Sequence, residues 1–190
     1  MRRKTFDWLL TAGGAMLTVV LIVAGIFLTL SANFANSNVH SQLEKQAIVV
    51  PAKGSPALAS PKIGPYLDRY AGQEVLSGPA AKAYADHFIA VHLSEMPYGG
   101  VYSKVSAAVQ ADPSNAKLKG VETTVFQGTT LRGLLLEAYA FSVFGEIATW
   151  ASIVVWVLAA IMLVLTILGI IHFRRVSYDE ELLAPRAKTA

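Results

Sequence analysis

Two long apolar runs without a single charge constrain this chain more than any other feature of its sequence. The first is WLLTAGGAMLTVVLIVAGIFLTL, from Trp8 to Leu30, and the second is IATWASIVVWVLAAIMLVLTILGII, from Ile147 to Ile171. At about 1.5 Å per residue, a helix over either run is long enough to cross the roughly 30 Å hydrocarbon core of a bilayer. The sequence therefore predicts an all-α membrane protein with two transmembrane helices, 8–30 and 147–171.

The first run is predicted to be an uncleaved signal anchor. Its basic start, Arg2, Arg3 and Lys4, is typical of the n-region of a secretory signal. The run is longer than the roughly 7–15 apolar residues of such a signal, however, and no small-x-small cleavage site follows Leu30. The sequence contains no cysteine, which excludes a lipid attached through Cys, disulfides, and iron–sulfur or Cys–zinc centres.

The basic residues beside the two runs predict the orientation of the chain. Three of them precede the first run, and Arg174 and Arg175 follow the second. Since basic flanks stay in the cytoplasm, we expect residues 1–7 and the tail 172–190 to be cytoplasmic, and residues 31–146 to lie outside a cell membrane. The net charge of +3 indicates contact with phospholipid head groups and not with nucleic acid.

The middle region is predicted to be a small, mostly helical extracytoplasmic domain. The polar residues after Leu30 are expected to extend the first helix by a few turns. Four prolines between residues 51 and 65 predict an extended loop over 46–65, because proline interrupts both helices and central strands. Short helices are expected at 79–94, which begins near Gly78-Pro79, and at 101–111, which ends before Asp112-Pro113.

The stretch VFQGTTLRGLLLEAYAFSVFGEIATW is already apolar well before the second run begins. Thr129 or Thr130 is expected to be the N-cap of a helix over 130–146 that continues into the second span. The preceding segment, 118–126, suits a helix or a strand, and a helix is favoured. An apolar helix outside the bilayer must be covered, either by the chain's own helix 79–94 or by a neighbouring protein.

The sequence predicts no catalytic, cofactor-binding or metal site. His87 and His92 share one predicted helix, but five residues separate them by about 140° around its axis, so they do not converge on a metal. The sequence contains no G-x-S-x-G elbow, no G-x-G-x-x-G and no P-loop. We therefore expect a protein that is not an enzyme and needs no cofactor.

Small residues recur at helical spacing along both runs and form candidate packing surfaces. Thr11, Gly14, Thr18 and Gly25 lie on the first stripe, Gly145, Ala148, Ser152 and Ala159 lie on the second, and Leu131, Leu134 and Phe141 precede it. Small residues let helix backbones approach closely in lipid. Two interpretations are open: the stripes pack on each other as a hairpin, or at least one packs on a larger neighbour. Neither run has an ionisable residue at mid-depth, which argues against transport by this chain alone.

Three motifs resemble those of a family of small actinobacterial membrane proteins. They are YADHFIAVHL, YGGVYSKVSAAV and VFQGTTLRGLLLEAYAFSVFGEIA, and TLRGLLLEAYAF, residues 130–141, is the most specific. The family includes a respiratory supercomplex association factor, an accessory subunit of the cytochrome bcc–aa3 assembly. Some of its members carry the label aromatic ring-opening dioxygenase, but this sequence offers no convergent pair of histidines and carboxylate for Fe(II).

The resemblance implies a non-catalytic accessory subunit that stabilises or bridges larger subunits of a respiratory supercomplex. Its implied partners are the membrane, its phospholipids, and subunits of cytochrome bcc and of the aa3 oxidase. The alternative is a stand-alone extracytoplasmic binding or sensing module anchored by two spans. An enzyme is the third possibility, and the residues favour it least.

Overall fold

A computed structural model describes residues Arg3–Arg175, with the side chain of Arg3 left out. The described residues are 83% helical and contain no strand. Two of its helices are long and apolar enough to cross a membrane. The expectation of a mostly helical chain with two membrane-length helices is confirmed. Most of the expected cytoplasmic tail, from residue 176 onward, lies outside the described residues, as do Met1 and Arg2.

The first helix, α1, spans Arg3–Glu44 without interruption. The polar threonines of its apolar run turn their hydroxyl groups back onto the helix. Thr11, Thr18 and Thr29 each donate a hydrogen bond to the carbonyl four residues earlier, at 2.7–2.8 Å. These bonds satisfy the hydroxyls inside the helix, so a polar side chain does not interrupt an element that must stay helical in lipid. Beyond α1, Ala47 has a φ of 48° and turns the chain.

The second long helix, α6, spans Ala116–Arg175 and contains 60 residues, a length of about 90 Å. The expectation that Thr129 or Thr130 caps this helix is wrong, because both residues lie in its interior. The helix is capped instead by Asn115, whose Oδ1 accepts a hydrogen bond from the backbone N–H of Leu118 at 3.0 Å. The ambiguous segment 118–126 is helical, as favoured.

Residues 45–77, which follow α1, form an irregular segment with short helical turns. The helix α2 is Gly64–Leu67, and 3₁₀ turns occupy Pro56–Leu58 and Asp68–Tyr70. An isolated antiparallel bridge joins Val49 to Glu74. The expected loop over 46–65 is therefore not extended throughout: it contains one 3₁₀ turn and the start of α2, since proline is well tolerated in the first turn of a helix.

The expected helix over 79–94 is divided into three parts. The helix α3 is Gly78–Ala83, a π-helical segment covers Tyr84–Ile89, and α4 is Ala90–Ser94. The extra residue of the π turn shifts the faces on either side of it, so a single 3.6-residue stripe does not run through the whole segment. The helix α5 spans Tyr102–Ala111 and follows a 3₁₀ turn, Pro97–Gly100.

The chain divides into two compact units. The helix-pair unit contains the described residues up to Ala32 and from Ile147 onward, and the middle unit is Asn33–Glu146. The core of the middle unit is built from α1, the irregular segment, the helical stretch 78–94 and α6, and Val105, Val109 and Val125 are buried outside this cluster. Its most deeply buried side chains are Leu43, Val50, Leu67, Val75, Ala81, Ala85 and Leu135.

Candidate interaction surfaces

Small residues and threonines line the contact between α1 and α6 in the helix-pair unit. A Cβ added at Gly14 would lie 3.1 Å from Thr166 Oγ1, and one at Gly169 would lie 3.0 Å from Thr11 Oγ1. Thr18 Oγ1 and Thr166 Oγ1 share a buried hydrogen bond of 3.3 Å. The two backbones therefore approach closely where a glycine faces a threonine, which is the packing expected between helices in lipid.

Trp156 sets the register of the same pair. A Cβ at Gly25 would lie 3.0 Å from the Trp156 indole, and the indole Nε1 donates a hydrogen bond of 3.1 Å to Thr29 Oγ1. The bulky ring thus fills the space that the glycine leaves, while its only polar atom is satisfied. Sequence reasoning missed Trp156, because a tryptophan inside an apolar run looks no different from one that faces lipid.

Within the helix-pair unit, the candidate residues of the two small-residue stripes lie at the contact between α1 and α6. Ser152 and Ala159 are 7% and 3% exposed, Thr18 is 4% exposed, and Ala148 is half-buried. Beside the contact line the pair forms a groove of about 530 Å³, lined in part by Leu10 and Leu17. The two stripes thus pack against each other, which favours the hairpin interpretation over packing on a neighbour.

Two further candidates, Gly145 and Leu131, face the core of the middle unit. A Cβ at Gly145 would lie 2.6 Å from Asn36 Oδ1 and 3.2 Å from the Ala35 side chain, so α1 and α6 approach closely here. Leu131 packs against the buried core. Neither residue is presented to an outside partner.

The side of α6 that faces this core is sealed by close contacts. Leu135 is fully buried on it. Gly78, at the start of α3, lies very close to α6: a Cβ added there would be 1.8 Å from Ser142 Oγ. The domain therefore covers one side of the apolar helix with its own residues.

The opposite side of α6, called here the outer face, is apolar and exposed. Leu134 and Phe141, both predicted as interface residues, are 51% and 40% exposed. Phe126 and Phe144, which the prediction missed, are more exposed still, at 54% and 68%. These four side chains extend along about 27 Å of one helix, and large apolar groups gathered in this way on a protein surface mark an interaction site.

An ion cluster ties the π-helical segment to α6. The Asp86 carboxylate accepts hydrogen bonds from Lys82 Nζ and, at 2.9 Å, from Arg132 Nη2. The hydrogen bond from Lys82 is the main cause that holds the pKa of Asp86 below its usual value, and the Arg132 hydrogen bond adds to it, while partial burial opposes both. The cluster joins segments far apart in sequence, so its role is to hold the helical stretch 78–94 on α6.

Replacing Asp86 with asparagine is expected to lower the free energy of unfolding by up to about 1 kcal/mol at pH 7, the range of partly exposed ion pairs. A carboxylate whose folded pKa is lowered stabilises the fold above its unfolded pKa of about 3.9, and this stabilisation is lost as the pH falls through the folded value. Thermal unfolding of the full chain in detergent should therefore separate wild type from D86N at pH 7, and the difference should shrink as the pH falls below about 3.9. Glu95→Gln serves as the control. A difference that does not change with pH would contradict the assignment.

Three of the four histidines, His40, His87 and His92, are engaged in ring stacking or backbone contacts, and His172 lies 3.9 Å from the Asp7 carboxylate. The ring of His87 stacks on Tyr66, with centroids 3.5 Å apart and an angle of 2°. His92 Nδ1 lies 2.7 Å from the Phe88 carbonyl, and His40 Nδ1 lies 3.2 Å from the Leu76 carbonyl. No group of three or more His, Asp or Glu residues that could hold a metal occurs within residues 3–175.

A scan against family models, a search of curated proteins and a search of solved structures each return no match to this chain. The class of protein rests on the fold: a mostly helical chain in which two helices are long and apolar enough to span a membrane. The feature of this fold with the clearest bearing on function is the outer face of α6.

Proposed function

We propose that this chain is a non-catalytic accessory subunit of a membrane respiratory assembly of the cytochrome bcc–aa3 type, where it stabilises or bridges larger subunits. The observation that carries the proposal is the outer face of α6, whose apolar side chains remain 40–68% exposed, although the Phe126 ring contacts Tyr102 of α5. The resemblance of residues 125–148 to an association factor of that assembly supports the choice of partner.

Helix length supports the need for a covering protein. From Phe126 to Ile171, α6 measures about 68 Å, while the hydrocarbon core of a bilayer is roughly 30 Å thick. The uncharged run 147–171 already accounts for the whole of that thickness. The outer face precedes this run, and the same stretch of α6 contains the charged residues Arg132, Glu137 and Glu146. Under this proposal it therefore stands outside the lipid and needs a protein to cover it.

The proposal includes an orientation. Both ends of the chain lie in the cytoplasm, beside the basic residues that flank the spans, and the middle unit Asn33–Glu146 lies on the opposite side of the cell membrane. There the outer face meets the extramembrane parts of the larger subunits. The helix pair serves as the anchor, since its small residues are already used in packing α1 on α6.

A scaffold role also agrees with how the polar residues are used. Asp86 is held by two cations, and His87 is stacked on a tyrosine. These contacts stabilise the domain, and the proposal gives them no catalytic role. The proposal therefore derives function from buried contact area and assigns no reaction to the chain.

Purification of the tagged full chain in mild detergent tests the proposal. We expect cytochrome subunits of both complexes to accompany the wild-type chain. The double variant Leu134→Gln/Phe141→Gln should retain about tenfold less of them, because large side chains at the centre of an interface dominate its binding energy.

Val49→Gln is the matched control, since Val49 is 52% exposed and lies outside α6, in the bridge to Glu74. The variants must first show the wild-type thermal unfolding midpoint, so that loss of partners is not loss of folding. If the wild-type chain runs as a solitary monomer without cytochrome subunits, the proposal is wrong, and the stand-alone module becomes the better explanation.

A further inference from the structure

The outer face of α6 carries a regular seam. Six of its residues follow one another at alternating spacings of four and three: Phe126, Thr130, Gly133, Glu137, Ala140 and Phe144. All six are exposed. Alternating steps of three and four keep a row of side chains on one side of a helix, which is the pattern of helices that pack on one another at a shallow angle.

We propose that this seam receives an α-helix of a larger subunit, and that the received helix carries a lysine or arginine opposite Glu137. The inference rests on the proposed function for the existence of a partner. It adds the shape of the partner's docking element and the charge it must bring.

The profile of the seam fits a helix. Phenylalanines stand at its two ends, and the Phe126 ring also contacts Tyr102 of α5, with centroids 5.6 Å apart. Between them, Thr130, Gly133 and Ala140 are small, and Glu137 is the one long side chain. Gly133 has nothing within 4 Å of the position where a Cβ would be, and Ala140 adds only a methyl group. A partner helix that lies along the seam can therefore approach the α6 backbone near Gly133 and Ala140, while the rings of Phe126 and Phe144 pack against its two ends.

Glu137 determines the charge of the partner. It lies at the centre of the seam between Gly133 and Ala140, and it has no ion-pair partner among residues 3–175. The neighbours one turn away on the same face, including Leu134 and Phe141, bring no cation. Covering this carboxylate with an apolar helix would be costly unless the helix supplied an opposite charge.

The same carboxylate argues against a second copy of this chain as the occupant. Two copies in one membrane share an orientation, so seams packed in register around a two-fold axis would bring Glu137 against Glu137. Like charges that face each other across an interface destabilise it. A different protein with a complementary charge avoids this repulsion.

The test combines a charge reversal with a photo-cross-link in the full chain. In Glu137→Arg, the amount of co-purified cytochrome subunits should fall by about tenfold or more, since removing one partner of a covered charge pair mainly raises the dissociation rate. The control Glu95→Arg makes the same charge change at an exposed site outside the seam and should leave co-purification unchanged. Both variants must keep the wild-type unfolding midpoint.

Replacing Phe144 with p-benzoyl-phenylalanine places a photo-reactive ring at one end of the seam. The cross-link should fall on one segment of a cytochrome subunit that has a lysine or arginine within about two heptads. Unchanged co-purification of Glu137→Arg, or cross-links only to lipid or to a second copy, would overturn the inference and leave the proposed function standing. A wild-type chain that retains no cytochrome subunit would overturn both.

Discussion

Replacing Gly78 with alanine is expected to lower the free energy of unfolding of the middle unit by about 1–3 kcal/mol, the usual cost of overpacking a core. The added Cβ would lie 1.8 Å from Ser142 Oγ, 2.4 Å from Ser142 Cβ and 3.4 Å from the Tyr139 Cα. Ser142 Oγ also donates a hydrogen bond of 2.7 Å to the Tyr139 carbonyl, which holds it in place. Either α3 moves away from α6 or the serine gives up this bond.

Thermal unfolding of the full chain in detergent, followed by far-ultraviolet circular dichroism, measures the effect. Gly120→Ala is the matched control: Gly120 lies in α6 with nothing within 4 Å of a Cβ, so alanine there should be neutral or stabilise by up to about 1 kcal/mol. The double variant Gly78→Ala/Ser142→Gly should recover part of the loss, because it removes the atoms that clash. If Gly78→Ala unfolds at the wild-type temperature, α3 does not pack on α6 as described.

The double variant Ser152→Leu/Ala159→Leu is expected to separate the two long helices of the helix-pair unit. Both positions are almost fully buried in this unit, and each leucine must find space where the wild type has a hydroxymethyl or a methyl group. Overpacking of this kind costs about 1–3 kcal/mol per site, and about 1.4 kcal/mol is a tenfold change in a population.

The absence of cysteine from the sequence provides the measurement. Cysteines introduced together at Thr18 and Thr166, whose hydroxyl oxygens lie 3.3 Å apart, should cross-link rapidly under oxidation in the parent chain. The two leucines should slow this cross-linking about tenfold or more. Ala160→Leu, next to the buried site but exposed, is the control and should leave the rate unchanged. Equal rates in all three chains would show that the small-residue stripes do not hold the pair together.

The parts of the fold that sequence reasoning predicted are those set by local chemistry. An uncharged apolar run of membrane length has few alternatives to a helix, so both long helices were predictable. Pro51, Pro56, Pro61 and Pro65 interrupt regular structure wherever they occur, and the irregular segment between α1 and α3 follows from them. The spacing of small residues likewise indicated which sides of α1 and α6 pack closely.

The errors arose where local signals competed. Thr129 and Thr130 are good helix caps, but so is Asn115, and the residues between them are compatible with a helix, so the earlier cap begins α6. The π-helical segment gives no signal in the apolar pattern, and it contains Asp86, whose contact with Arg132 joins it to α6. Gly78 looked like part of a helix start, and its contact with Ser142 became evident only in three dimensions.

The sequence by itself determined that the chain has two membrane-length helices and that α6 is apolar well before its span, because length, charge and hydropathy are properties of contiguous residues. It did not determine which side of α6 the chain covers, since Leu131, Leu134, Leu135 and Phe141 are all apolar and surround the helix. Tertiary structure decided that Leu131 and Leu135 face the domain's core, while Leu134 and Phe141 remain exposed. The physical reason is that a domain of this size can bury only one side of such a helix, and that choice depends on contacts between residues far apart in sequence.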